Sequence, residues 1–232
     1  MSEALTVGDL QFELRRSGRR KAIQITVDRG GELILSAPDH CPQAVMERFI
    51  REKRLWIFTK LAEKELLRAD APRKQYVNGE GFPHLGRSYR LLLVPGQDAP
   101  LKLEQGRFKL REDLASDGRA TFVRWYTAHA QPWLSDRVQR HAARLNAAPT
   151  HVAVQDLGYR WGSCGKSNKL YFHWKSILLP PRIVEYIVVH ELVHLQQPHH
   201  TPEFWQRLER ALPDFAARKQ WLAQNAGLVE GL

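Results

Sequence analysis

Cysteine is scarce in this chain, and long apolar runs are missing. The 232 residues include only Cys41 and Cys164, too few for a disulfide framework or for an all-cysteine zinc site. No apolar run approaches the ~18 residues that a membrane-spanning helix needs, and the first residues lack the basic start and apolar stretch of a signal peptide. We therefore expect a cytoplasmic protein without a membrane partner.

Acidic residues are also under-represented. The chain carries 35 Lys and Arg against 25 Asp and Glu, a formal net charge of +10, which favours acidic partners such as nucleic acid or nucleotides. Five of the basic residues fall within residues 15–21, RRSGRRK, at an expected hairpin tip. This tip is either part of a basic binding surface or an ordinary solvated turn. No glycine-rich phosphate-binding loop accompanies it.

Residues 1–112 have the pattern of a β-rich region with one long helix. Apolar and polar residues alternate in several short segments, as is typical of strands. Gly30 and Gly31 are expected to turn the chain between two of these strands. Over about residues 42–67 the apolar residues instead recur at helical spacing.

Residues 113–232 are expected to form the second part of an α+β protein. A long helix is predicted over about residues 120–145, with a kink or break at Pro132. Two strands follow, in THVAVQD and KLYFHW, and Pro181 then lies in the first turn of another helix. Pro198 ends that helix, and further helices complete the chain.

The helix that begins at Pro181 carries the motif H-E-x-x-H in His190, Glu191 and His194. Residues four apart lie on one helix face, so both imidazoles can bind the same metal ion. The surrounding apolar residues predict a buried helix, where these polar side chains are costly unless they are paired or metal-bound. A zinc ion with three protein ligands keeps one position open for a water molecule, whose proton Glu191 would accept.

Several residues compete to be the third metal ligand. His199 and His200 follow the break at Pro198, which lets the chain turn back toward the metal. His200 stands six residues after the second histidine of the motif, the spacing found in H-E-x-x-H-x-x-G-x-x-H, although the glycine of that pattern is absent here. We favour His200 over His199, and the alternative is a glutamate of the next helix, Glu203 or Glu209.

Residues that precede the motif are candidates for binding substrate. The strand KLYFHW is expected to be the sheet edge that pairs with an extended peptide. Tyr171 and His173 share one face of it, where they either donate to an oxyanion or simply cover the sheet. Arg160 can hold a carboxylate or phosphate, or form a structural ion pair. Cys164 is either a further zinc ligand in an inactive state or a small buried apolar residue.

These segments together resemble the YgjP-like metallopeptidases, a family related to the SprT-like and Wss-type zinc metalloproteases. The resemblance rests on RWGSC, YIVVHELVHL, HHTPEFW and LPDF, and it is strong over residues 152–222 and weaker in the N-terminal half. It implies a zincin-like catalytic fold, with a small sheet packed on the metal-binding helix and neighbouring helices. It also implies that His200 is the third ligand, with His199 at a position where the family more often has asparagine.

Three functions are compatible with the sequence. The favoured one is a zinc-dependent peptidase, which cleaves a peptide or protein with water activated by Glu191 and binds one Zn²⁺ ion. The second is a metal-dependent phosphohydrolase of nucleoside triphosphates. It fits the positive charge, but such enzymes usually bind Mg²⁺ through carboxylates rather than through three histidines. The third is a DNA-associated SprT-like protease, which rests on analogy to relatives.

Overall fold

The computed structural model of the chain describes residues 3–27, 32–69, 74–158, 160–229 and 231–232. These residues form six α-helices and three small sheets, so the protein has the mixed α and β structure that the sequence predicts. The chain divides into two compact units, Met1–Asp70 and Ala71–Leu232. Within the described ranges, no helix combines the length and the apolar character needed to cross a membrane.

The first unit packs a four-stranded sheet against two helices. Its strands are β1 (Glu3–Val7), β2 (Leu10–Arg16), β3 (Gln24–Val27) and β4 (Leu33–Ala37), and its helices are α1 (Gln43–Glu52) and α2 (Arg54–Ala69). Met46, Ile50 and Ile57 of the helices are buried in one core with the sheet. The single helix expected over residues 42–67 is two helices separated at Lys53, because the apolar spacing runs through both and does not mark the break.

The basic segment at residues 15–21 is not a hairpin tip, contrary to the expectation. It connects β2 to β3, and these two strands both pair with β4, β2 in parallel and β3 antiparallel. The strand order is β1-β2-β4-β3, so the connection crosses over β4. Arg15 of this segment pairs with Glu13 at 2.8 Å. Gly30 and Gly31, the expected turn, lie outside the described residues.

The second unit begins with another four-stranded sheet, which packs on a long helix. The strands are β5 (Gly81–His84), β6 (Arg87–Val94), β7 (Leu101–Glu104) and β8 (Arg107–Arg111), and the helix is α3 (Gly118–Leu145). Phe82 of β5 stacks on Phe122 of α3, with ring centroids 4.1 Å apart. This sheet and α3 share one core and lie in the same compact unit, Ala71–Leu232.

Helix α3 continues through Pro132, where the sequence predicts a kink or a break. Ala130 and Leu134, on either side of the proline, are fully buried. Packing of this helix in the core thus outweighs the backbone hydrogen bond that proline cannot form.

A sheet of three short strands lies next to the helix that carries the H-E-x-x-H motif. The strands are β9 (His151–Gln155), β10 (Gly162–Cys164) and β11 (Lys169–His173), and the remaining helices are α4 (Pro181–His194), α5 (Pro202–Ala211) and α6 (Phe215–Asn225). β11 lies between the other two strands, antiparallel to β10 and parallel to β9. Because both of its edges are occupied, β11 is not the peptide-pairing edge that the sequence predicts. The edge strand in contact with α4 is β10.

Candidate metal centre

Helix α4 carries the H-E-x-x-H motif through the core of the second unit. Pro181 occupies its first turn, where backbone N–H groups have no acceptor within the helix, so the N–H that proline lacks is not needed there. Apolar residues surround most of the helix, and Val188 and Leu192 are fully buried. His190 and His194 lie one turn apart near its C-terminal end, on the side that lines a cleft.

Three imidazoles converge on this side of α4. The Nε2 atoms of His190 and His194 are 3.2 Å apart, and those of His190 and His200 are 3.0 Å apart. The candidate ligand atoms of all three residues lie within 4.8 Å of one another. Since Zn–N bonds are about 2.05 Å long, two nitrogen ligands of a tetrahedral ion are about 3.3 Å apart. The spacing and chemistry of these nitrogens therefore fit a single zinc ion.

Burial keeps these imidazoles neutral at physiological pH. It lowers the pKa of His190 to about 3, assisted by the charges of His194 and His200, and burial also lowers the pKa of the other two. The Nδ1–H of His194 donates to the carbonyl oxygen of Gln197 at 3.1 Å, which leaves the Nε2 lone pair directed at the cluster. Neutral imidazole with an available lone pair is the form that binds metal.

Two aromatic residues of α5 hold the three histidines in place. Phe204 is fully buried, and its ring centroid lies 4.6 Å from those of both His194 and His200. The ring of Trp205 stacks on His200 at an interplanar angle of 20°. The Nζ atom of Lys219 lies over the Trp205 ring, 4.3 Å from the ring centroid. Because His200 lies in a loop, these contacts restrict an imidazole that no helix orients. The sequence marks Phe204 and Trp205 only as core residues of a helix.

Glu191 is held against the edge strand β10. It is 6% exposed, and the backbone N–H of Cys164 donates to its carboxylate. A Cβ atom at Gly162 would lie 2.6 Å from Cγ of Glu191 and 2.7 Å from its Oε1, so glycine is what leaves room for this side chain. Burial raises the pKa of Glu191 to about 8, against the lowering effects of the Arg160 charge and the Cys164 hydrogen bond. A carboxyl group in such a setting can exchange a proton near neutral pH.

A cleft of about 720 Å³ lies beside the three histidines and Glu191. Its volume is within the range of roughly 300–1,000 Å³ that is typical of ligand sites. β10 and its flanking residues Arg160 and Lys166 line the cleft, together with Tyr186 of α4. Burial, and then the charge of Glu191, raise the pKa of Tyr186 to about 12, so its hydroxyl remains protonated and can donate a hydrogen bond.

A family model of the YgjP-like metallopeptidase domain matches residues 21–225. The chain belongs to the YgjP-like metallopeptidase family. The resemblance seen in the sequence is thereby confirmed, and family membership supports a metal-dependent peptidase that acts on a peptide or protein. Comparison with curated proteins and with solved structures finds no match.

The expected substrate-binding residues of this YgjP-like protein differ in whether they line the cleft. Arg160 lines the cleft, whereas Tyr171 and His173 are not among the described residues that line it. Both belong to the central strand β11. His173 is buried, with Nε2 3.3 Å from Oδ1 of Asp156 and Nδ1 accepting from the backbone N–H of Lys175. These contacts give His173 a structural role in the turn that follows the strand.

The remaining candidate ligands lie outside the three-histidine cluster of the described residues. Cys164 lines the cleft, and burial, followed by the charge of Glu191, raises the pKa of its thiol. A raised pKa disfavours the thiolate that zinc binds. Among the described residues, the cluster of ligand atoms does not include His199, Glu203 or Glu209. Of the alternatives for the third ligand, the structure therefore brings His200 alone next to the motif histidines.

Proposed function

We propose that this protein is a zinc-dependent metallopeptidase with a zincin-like catalytic site. His190, His194 and His200 hold one Zn²⁺ ion, and Glu191 is the general base. The observation that carries the proposal is the convergence of three neutral imidazoles next to a buried carboxyl group, at the wall of a cleft. Imidazole ligands suit zinc, whereas magnesium and calcium prefer oxygen ligands.

Bound zinc would supply Lewis acidity at this point of the cleft, polarising a peptide carbonyl and increasing the acidity of water. Glu191 takes a proton from the attacking water and passes it to the nitrogen of the leaving amine. The N–H of Cys164 and the open space at Gly162 set the position of the carboxylate for both transfers. Arg160 and Tyr186 are the donors of the cleft lining that we assign to the developing negative charge on the carbonyl oxygen.

The proposed substrate is an extended peptide that lies along β10. This strand is the edge of its sheet, it lines the cleft over its whole length, and it contacts the helix that carries Glu191. An exposed sheet edge binds extended peptides through backbone hydrogen bonds. Trp161, Ile187 and Leu195 give the cleft apolar surface for substrate side chains.

The residues of the candidate metal centre do not favour the two alternative functions. A nucleotide phosphohydrolase would be expected to hold Mg²⁺ through carboxylates, and the candidate ligands that cluster among the described residues are three imidazoles. The family match supports a peptidase, and it adds no support for a nucleic-acid partner.

The decisive experiment separates metal binding from proton transfer. Wild type and Glu191→Gln would be purified with zinc supplementation, assayed for metal by mass spectrometry, and tested on unfolded proteins, peptide libraries and nucleoside triphosphates. We expect one zinc per chain in both proteins and a loss of peptide cleavage on the order of 10²–10⁴-fold in the variant, since that is what general acid–base catalysis contributes.

A matched control is Glu203→Gln, which neutralises an exposed carboxylate on the neighbouring helix. It should retain both zinc and cleavage. Wild-type protein that holds no transition metal after supplementation, or a Glu191→Gln variant that cleaves peptides at the wild-type rate, would contradict the proposal. Cleavage confined to nucleoside triphosphates would replace it with the phosphohydrolase alternative.

A further inference from the structure

A second cavity lies on the other side of α4, away from the metal centre. Its volume is about 280 Å³, and helices α3, α4 and α5 all contribute to its lining. Val189, Leu192 and Val193 of α4 and Gln196, which follows the helix, contribute to this lining. At 100° per residue these positions face away from those of His190 and Glu191, so the second cavity is separate from the cleft.

The rim of this cavity is strongly basic. Arg144 of α3 and Arg207 and Arg210 of α5 line it, and no carboxylate is found among the described lining residues. Neither Arg144 nor Arg210 has an ion-pair partner within the described parts of the chain. Arg207 donates to Oε1 of Gln196 at 2.8 Å, a neutral contact that leaves its charge uncompensated. Three arginines therefore belong to the lining of one small cavity.

The carboxylate that contacts the lining residue His141 is already engaged. Glu185 accepts from Arg218 at 2.5 Å, and its other oxygen lies 3.1 Å from Nε2 of His141, a lining residue. The carboxylate of Glu185 is thus already engaged by Arg218 and His141. An anion that entered the cavity would not have to displace a carboxylate from the three arginines.

The floor of the cavity has the opposite character. Val189, Leu192 and Val193 are buried side chains of α4, and Leu145 and Ala211 add further apolar residues to the same lining. A ligand that matches both features has an anionic head and a small apolar body. At about 30 Å³ for each water molecule of liquid volume, the cavity has room for a ligand of this kind but not for a large cofactor.

We propose that this cavity binds a phosphate monoester of a small apolar alcohol. A phosphoryl group carries about −1.5 to −2 charges near neutral pH and three acceptor oxygens, which matches three guanidinium groups better than the single charge of a carboxylate. Arginine forms paired hydrogen bonds with phosphate oxygens. The apolar floor favours an ester over free phosphate, because the organic group buries surface that phosphate alone leaves open to water.

The test measures binding of phenyl phosphate to the zinc-loaded protein by calorimetry, beside inorganic phosphate and benzoate. We expect one binding site, with phenyl phosphate tighter than both reference anions. Arg144→Gln, Arg207→Gln and Arg210→Gln should each weaken it about tenfold, since a charge-assisted hydrogen bond is lost. The matched control is Arg140→Gln, on the same helix as Arg144 but paired with Asp136 at 3.0 Å, which should bind as wild type does.

Three outcomes would overturn the proposal. Binding that survives the three arginine substitutions but disappears in His200→Ala is binding at the metal centre. Equal, weak binding of all anions, unchanged by substitution, is nonspecific attraction to a basic protein. A short single-stranded oligonucleotide that binds more tightly than phenyl phosphate, through the same arginines and with a steep salt dependence, makes the surface a nucleic-acid site. Circular dichroism of each variant verifies that it is folded.

Discussion

Gly162→Ala is the substitution that most directly tests how the fold positions Glu191. The added Cβ would lie 2.6 Å from Cγ, 2.7 Å from Oε1 and 2.8 Å from Cδ of Glu191. Ordinary contacts between nonbonded heavy atoms are about 3.5–4.0 Å, so the carboxyl group must retreat by about 1 Å. Gly162 lies in a strand and does not have the left-handed backbone that disfavours alanine. The substitution therefore acts through the side-chain contact alone.

The expected effect on catalysis is large because Glu191 has little space to move. It is 6% exposed, and the retreat also breaks its hydrogen bond from the Cys164 N–H. Misplacement of a catalytic group by about 1 Å costs on the order of a hundredfold in rate. We expect this loss in kcat for peptide cleavage with little change in KM and no change in zinc content. Gly96→Ala is the control, since no atom lies within 4 Å of its added Cβ.

Stability provides a second measurement that does not depend on activity. Forcing a methyl group into a packed site costs about 1–3 kcal/mol, and we expect Gly162→Ala to lower the free energy of unfolding by this amount. In the Glu191→Ala background the added methyl group has room. The free energy of unfolding that Gly162→Ala removes should therefore fall to a few tenths of its value in the wild-type background. Wild-type turnover in Gly162→Ala, or equal destabilisation in both backgrounds, would show that Gly162 does not set the position of Glu191.

The core and the metal ligands offer further tests. Burial, and then the charge of His129, lower the pKa of His84 to about 4 from 6.5, so protonation favours unfolding. Stability is therefore full above pH 6.5 and falls as the pH drops toward 4. We expect a loss of up to about 3 kcal/mol relative to His84→Phe, measured by urea unfolding, and parallel curves for the two proteins would contradict this. Gly86→Ala should lower the midpoint of thermal unfolding by several degrees. Gly86 has φ +75°, and its added Cβ would lie 2.8 Å from Cα of Pro180. An unchanged midpoint would be inconsistent with that contact. His200→Ala should weaken zinc binding on the order of a hundredfold in a chelator competition, and unaltered affinity would remove His200 from the ligand set.

The helices were the most predictable part of the chain. Pro181 lies in the first turn of α4, in agreement with the sequence pattern, because helix ends and apolar faces depend on residues close in sequence. The pairing of His190 with His194 is predictable for the same reason. Two residues four apart on a helix meet on one face whatever surrounds them.

Strand partners were much less predictable. KLYFHW reads as a strand and is one, yet its alternation does not reveal that β10 covers one edge and β9 the other. The same limit applies to the basic segment at residues 15–21, which crosses from β2 to β3 over β4 instead of closing a hairpin. Strand alternation is a local property, whereas the choice of neighbouring strand is set by pairing between distant segments.

The sequence by itself determined the geometry of the H-E-x-x-H motif, because a helix converts the spacing of His190, Glu191 and His194 into a fixed arrangement. It also identified the family, and it favoured His200 through the break in the helix that Pro198 causes. Only the tertiary structure decided what surrounds the motif. β10 approaches Glu191 from a segment about thirty residues earlier in the chain, with Gly162 leaving the space and Cys164 donating the hydrogen bond. Such contacts between distant segments follow from how the core packs, and no periodicity in the sequence records them.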